Sequence, residues 1–189
     1  MLDKILKSTM FIGILFMVVG CGGDKLTAAQ KAAGKVDKAT IDSIAQAQGT
    51  VSNVQRVSES MAPILERYNR GELDGELVKV NNGLKYKIVA EGDGVKPQFG
   101  DRVFVHYYGT LTDGFKFDSS FDRMKPFSFE LGIQGIIPGW NDGISRMKVG
   151  STYIFFIPSE LGYGAKGSID GSIPPHSELV FFISLLGIQ

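Results

Sequence analysis

Gly135-Ile136-Ile137-Pro138-Gly139-Trp140 is the stretch around which the chain is organised. Pro138 stands where a helix would begin, because a first helical position does not need the N–H that proline lacks. Trp140, Ile144 and Met147 recur at i, i+4 and i+7 and so share one face of a short helix, with Gly150 as its expected stop. The Ile137 N–H belongs to the helix-start donors that find no partner inside the helix. An indole plate beside a free backbone donor suits a flat apolar ring with a carbonyl next to it. Proline with its preceding amide is such an object.

Working outward, the downstream half reads as β-structure. Leu84, Tyr86 and Ile88 alternate before Gly92-Asp93-Gly94, which reads as a turn. Residues 102 to 111 form a longer strand with Val103, Val105 and Tyr107 on one face and Phe104, His106 and Tyr108 on the other. Asp113-Gly114 marks another turn. Residues 152–157 and 179–186 are nearly all apolar, as expected of interior strands covered on both faces. The fold class is therefore α+β: an antiparallel β-sheet curled around one short α-helix.

Upstream, Ile44, Val51, Val54, Met61, Leu65 and Tyr68 follow the three-and-four spacing of a helix with one apolar stripe. Thr40 is its expected N-cap and Gly71 its stop, while Gly49 and Ser58 weaken the seam. One stripe does not name its partner, so this helix either dimerises or spaces the domain from a membrane, or else packs back on its own domain. The Ala-, Lys- and Gly-rich residues 24–38 read as a tether.

Lys4 and Lys7 precede an apolar run from Met10 to Val19, too short to span a bilayer comfortably, and this reads as an export signal. It closes on Val18-Val19-Gly20-Cys21, which resembles a bacterial lipobox with Cys21 as the lipidated residue. An uncleaved anchor or a chance cysteine is the alternative. Several acyl chains would hold the protein stably at a membrane, whereas one alone is marginal. No acidic residue immediately follows Cys21, which favours an outer membrane facing the periplasm over the inner membrane or the cell surface.

Other chemistries find little support. Lys and Arg total 20 against 20 Asp and Glu, so no electrostatic grip on nucleic acid is expected. Gly162-Tyr163-Gly164-Ala165-Lys166-Gly167 fits G-x-G-x-x-G, but the Gly- and Pro-containing stretch after it cannot open the helix that a dinucleotide site needs. His106 and His176 are the only histidines and lie seventy residues apart, with no cluster of other ligands at metal spacing. No G-x-S-x-G elbow is present. Asp118 and Asp122 have no evident acid–base task, and Arg123 is expected to pair with one of them.

A family resemblance rests on motifs in order: Val105-His106-Tyr107-Tyr108-Gly109, Phe117-Asp118-Ser119-Ser120, Pro126-Phe127-Ser128-Phe129, Gln134 through Trp140, Gly162-Tyr163-Gly164, Ile173-Pro174-Pro175-His176 and Leu179-Val180-Phe181. From about Gly83 to Gln189 these resemble the FKBP-type peptidyl-prolyl cis-trans isomerases. The helix upstream is similar to that of the Mip-like members, whose N-terminal helices dimerise, although the helical part here is shorter. With the export signal and tether read above, the expected division is a lipoprotein signal peptide at 1–20, a tether at 21–38, a helical spacer or dimerisation segment at 39–75 and, from the resemblance, the isomerase domain at 76–189.

The resemblance also implies roles. Trp140 would floor a proline pocket walled by Tyr107, Phe117, Phe127 and Phe181, with Ile136 and Ile137 at the rim and Ile173 among the substrate contacts. The Ile137 N–H would bond one substrate carbonyl, and the Tyr163 hydroxyl another polar group of the peptide. Asp118 would sit inside the pocket, held by Tyr107 and Arg123. No cofactor and no metal is implied. The partners implied are proline-containing polypeptides and macrolide-type inhibitors, to which the lipobox-like residues add a membrane through Cys21, and the helix stripe, in its dimer alternative, a homodimer through residues 40–68. Gly135 and Gly162 are smaller than in many members, and the Gly167–Ile173 loop is one residue longer than in small ones. All three touch the rim, where they bear on substrate preference. Two other functions compete: a non-catalytic chaperone module that holds proline peptides, and an interaction lipoprotein working through its N-terminal helix.

Overall fold

The computed structural model describes residues 50–189. The signal at 1–20, Cys21, the tether at 21–38, Thr40 and Ile44 lie outside the described residues. Helix α1 (Thr50–Asn69) leads into seven strands: β1 (Val78–Lys79), β2 (Lys85–Ala90), β3 (Arg102–Leu111), β4 (Lys116–Ser119), β5 (Phe127–Glu130), β6 (Thr152–Ile157) and β7 (Leu179–Ile188). Helix α2 (Pro138–Arg146) lies between β5 and β6, and a 3₁₀ turn (Ser159–Leu161) follows β6. All strand pairs are antiparallel, in the order β1-β2-β6-β7-β3-β4, with β5 also on β3. The α+β architecture of a sheet around one short helix is thus the one the residue pattern predicts. Among the described residues no helix is long and apolar enough to cross a membrane.

Strand β3 organises the sheet. Strand β7 pairs with its whole length, from Val103 opposite Ile188 to Leu111 opposite Leu179. The other edge is shared, since β5 takes residues 102 to 105 and β4 takes 108 to 110. Between those partners Ser120 bridges the gap: its N–H donates to the Tyr107 carbonyl at 3.1 Å, and its Oγ accepts the Tyr107 N–H at 2.8 Å. The strand therefore stays satisfied where the chain leaves the sheet to pass round the cavity described below.

The period-two alternation sorts the strands into two cores. Val103, Val105, Tyr107, Tyr153, Phe155, Ile157, Phe181 and Ile183 pack with Trp140, Ile144 and Met147 of the α2 region. Tyr108, Ile154, Phe156 and Val180 face the opposite side and meet Val57, Met61 and Leu65 of α1. Strands buried on both faces need the near-continuous apolar runs seen in β6 and β7. Of the alternatives for the N-terminal helix, its described part packs back on its own domain, and the dimer reading loses the Val54–Tyr68 part of its stripe to the sheet. Val57, absent from the expected stripe, is buried there beside Met61. A Schellman pair ends α1, with Gly71 N–H donating to Tyr68 O at 2.9 Å and Glu72 N–H to Arg67 O at 2.9 Å.

Three local expectations change. Helix α2 stops at Arg146 with Met147 already extended, so Gly150 forms a later turn instead of the helix end. Met147 keeps its place on the buried face all the same. In β2 the alternation breaks at Ile88, which is exposed beside a register shift between Ile88 and Ala90. Gly92 is a close crossing more than a turn: a Cβ there would lie 2.2 Å from the Val149 carbonyl oxygen.

Candidate active site

Pro138 opens α2 from its first turn, and Ile137 is the N-cap in extended conformation. This geometry turns Trp140 inward, where it is 5% exposed, and leaves the Ile137 N–H with no hydrogen bond to any described residue. Above the indole lies a cavity of about 600 Å³. Its walls come from the α2 face of β3 (Tyr107), from β4 (Phe117, Asp118), β5 (Phe127) and β7 (Phe181). Ile136 and Ile137 line it before α2, and Tyr163 and Ile173 after the 3₁₀ turn.

The rings meet edge to face. Tyr107 lies 5.0 Å from Trp140 at 77°, Phe181 lies 5.2 Å from it at 81°, and Phe127 lies 6.0 Å from it at 70°. Phe117 stands 5.4 Å from Phe181 at 83°. Edge-to-face contacts are a favoured geometry for aromatic pairs and set the orientation of each wall relative to the indole. Gly109 makes room for the rings. A Cβ there would lie 2.7 Å from both Phe117 Cε2 and Phe181 Cε1.

A polar cluster around Asp118 interrupts this lining. Asp118 Oδ2 accepts the Tyr107 hydroxyl, Asp118 Oδ1 accepts Arg123 Nη1 at 2.6 Å, and a second Arg123 nitrogen donates to the Tyr107 oxygen. The Ser119 N–H adds a bond to Oδ1 at 2.7 Å. Burial pushes the Asp118 carboxyl up, but the Arg123 and Tyr107 bonds outweigh it and hold the group below its ordinary value. Burial, then the bond to Asp118, raises the Tyr107 hydroxyl, which stays protonated and donates. Burial likewise raises Tyr163, with the Asp118 and Asp170 charges adding to it. Arg123 thus pairs with Asp118, while Lys116 takes Asp122 at 2.7 Å. His106 points to the other side, stacked 4.7 Å from Phe121 with its Nδ1 2.9 Å from Ser120 Oγ.

All eleven residues expected at the site line this one cavity: Tyr107, Phe117, Asp118, Arg123, Phe127, Ile136, Ile137, Trp140, Tyr163, Ile173 and Phe181. Sequence reasoning missed Ser168, Asp170 and Ser172, which line it from the loop after Gly167. The extra length of that loop was the available signal. It also missed Phe129, a buried ring 5.8 Å from Trp140 that supports the floor.

Fold and site together define an antiparallel sheet around one short helix, with a pocket walled by aromatic rings over Trp140 and edged by Asp118, Arg123, Ser168, Asp170 and Ser172. Residues 93–186 match the model of the FKBP-type peptidyl-prolyl cis-trans isomerase family. The chain is 48% identical over 125 residues to the FKBP-type peptidyl-prolyl cis-trans isomerase FkpA of Aeromonas hydrophila, covering 66% of this chain but 45% of that protein. It is 46% identical over 104 residues to FK506-binding protein 1 of Dictyostelium discoideum, covering 55% of this chain and 96% of that one. The crystal structure of a peptidyl-prolyl cis-trans isomerase from Pseudomonas syringae pv. tomato superposes with a TM-score of 0.57 at 32% identity, over 70% of this chain and 96% of that one. The chain belongs to the FKBP-type peptidyl-prolyl cis-trans isomerases, and the matched region is an isomerase domain of that kind.

Proposed function

We propose that the protein is a membrane-tethered prolyl isomerase that assists the folding of exported polypeptides, working without covalent chemistry. The observation that carries this is the ring-lined cavity over Trp140 with the unpaired Ile137 N–H at its edge. Rotation about an X–Pro bond faces a barrier of ~18–20 kcal/mol, because amide resonance must be broken. Uncatalysed, it takes on the order of tens to hundreds of seconds, slow enough to limit folding.

The planar imide is more polar than the twisted one, since resonance places negative charge on its oxygen. Transfer from water into an apolar slot therefore costs the ground state more than the half-rotated state. A backbone donor aimed at the rotated carbonyl adds preference for that state. A difference of roughly 5–7 kcal/mol gives a 10⁴- to 10⁵-fold acceleration. In this reading Trp140 supports the ring, Tyr107, Phe117, Phe127 and Phe181 exclude water, and Ile136 and Ile173 hold the flanking chain. Ile137 N–H and Tyr163 Oη bind peptide polar groups. Asp118, fixed by Tyr107 and Arg123, is the polar group inside the pocket. The same slot is the seat for macrolide-type inhibitors.

Cys21 and the lipobox-like residues before it support lipid anchoring, with the domain in the periplasm at the outer membrane. Labelled fatty acid incorporated by the wild type and lost in Cys21→Ala would support that anchor; equal labelling would reject it. The packing of Met61 and Leu65 on the sheet supports α1 as part of the domain in preference to a dimer seam. The catalytic reading is tested by protease-coupled or exchange-NMR assay on an X–Pro peptide. Binding without faster cis–trans exchange would leave a peptide-holding module instead.

A further inference from the structure

Three charged side chains line the cavity: Asp118, Arg123 and Asp170. Asp118 and Arg123 neutralise one another at 2.6 Å, so the uncompensated charge is that of Asp170. Its Oδ1 accepts Ser168 Oγ at 2.6 Å, Ser172 Oγ at 2.8 Å and the Ser172 N–H at 3.1 Å. Oδ2 has no hydrogen-bond partner, and no Lys, Arg or His nitrogen lies within 4.0 Å of the carboxylate among the described residues.

The loop that carries it is pinned to the cavity wall. Ser168 N–H donates to Ile173 O at 2.9 Å, and Ser168 Oγ accepts the Ile173 N–H at 2.8 Å. Gly167 permits this crossing, because a Cβ there would lie 2.3 Å from the Ile173 oxygen. Ile173 is itself buried, so the loop is anchored at its end, and Asp170 projects from a fixed base. The Ser168 hydroxyl, then the Ser172 N–H and hydroxyl, hold the Asp170 carboxyl down at about 2, and it is ionised wherever the protein is folded near neutral pH. A carboxylate with one oxygen committed to its own loop and the other open is oriented before any ligand arrives, which lowers the cost of an ion pair with one.

Resting on the isomerase reading, we infer that Asp170 is a specificity-determining residue: it favours polypeptides with a lysine or arginine next to the proline and disfavours those with an acidic residue there. It touches the chain that flanks the proline and takes no part in the rotation itself. Its effect falls on the electrostatics of capture, with the rings still reading the proline.

The test compares kcat/KM of the full chain on tetrapeptides carrying Lys, Leu or Glu on either side of the proline, at low salt. The expected order is Lys, then Leu, then Glu, with about fivefold between the extremes, the scale an exposed ion pair reaches. In 1 M NaCl the ratio falls toward one, since the screening length drops to about 3 Å. Asp170→Asn keeps an oxygen for the three loop bonds and brings the Lys-to-Glu ratio to about one at low salt; thermal unfolding checks that it is folded. Asp93→Asn removes the same charge from an exposed site outside the cavity and keeps the wild-type ratio. Equal kcat/KM for the three peptides in the wild type, or a ratio unchanged in folded Asp170→Asn, overturns the inference and leaves the isomerase reading standing. No acceleration of the Leu peptide overturns that reading, and the inference with it.

Discussion

The Arg123 guanidinium donates to the Asp118 carboxylate over 2.6 Å while both side chains stay about half exposed. An exposed pair adds little to stability, so its value lies in orientation. Arg123→Ala is expected to lower stability by less than about 1 kcal/mol. It removes the Arg123 bonds to Asp118 and to the Tyr107 oxygen and leaves those two held only by each other and the Ser119 N–H, so kcat/KM should fall roughly fivefold, equivalent to about 1 kcal/mol of lost positioning. Denaturant melts and a coupled peptide assay on one preparation check the two halves.

Two buried or half-buried groups contribute to the acid limb of stability, alongside exposed carboxyls such as Glu76 and Asp170 that their own hydrogen bonds hold low. Burial lowers the His106 imidazole below its ordinary 6.5, so the unfolded chain takes up that proton first as pH falls. Its contribution is complete above about pH 6.5 and is lost as pH falls through the lowered folded value. For Asp118 burial acts upward, yet the Arg123 and Tyr107 bonds leave it below 3.8; its contribution is present above that value and is lost as pH falls through the folded one. Urea midpoints should thus be flat from pH 8 to 7, decline below about 6.5 and drop again below about 4. His106→Asn, which keeps a group for Ser120, should remove the first decline and leave the second.

Gly109 separates the effects of shape from those of charge. Gly109→Ala places a methyl 2.7 Å from Phe117 and Phe181, and the rings must tilt into the cavity to admit it. Overpacking of this kind costs about 1–3 kcal/mol. A higher KM with a modest loss of melting temperature is expected, measured on a Leu-Pro peptide.

Much of this was legible beforehand because local chemistry and global packing agree. Pro138 and Trp140 reveal both the start of α2 and its buried face, and the alternation from Val103 to Tyr108 reveals two opposed faces of β3. The aromatic walls lie far apart in the chain, and ordered motifs, not periodicity, brought them together. What stayed hidden depended on tertiary partners. Nothing local says that Met61 packs in one cluster with Phe156 and Val180, that Gly92 must pass close to Val149, or that Asp170 lies at the edge of the cavity.

Helix α1 provides a check on that hidden packing. Met61 is 1% exposed between the helix and the sheet. Met61→Ala is expected to destabilise the domain by about 2–4 kcal/mol through a cavity on the face away from the active site. Residual kcat/KM at a temperature where the variant is folded should stay near wild type, read from thermal unfolding and the peptide assay together.

Trp140 is the single tryptophan of the chain, so its emission reports on the floor of the slot directly. Trp140→Leu should retain the fold at a cost of about 2–3 kcal/mol. The decisive measurement is cis–trans exchange of an X–Pro peptide by NMR, with sub-stoichiometric wild type and Trp140→Leu side by side. The slot account predicts strongly accelerated exchange with the wild type and at least a tenfold loss with the folded variant. Peptide bound over Trp140 with no faster exchange, or full catalysis by Trp140→Leu, would contradict it.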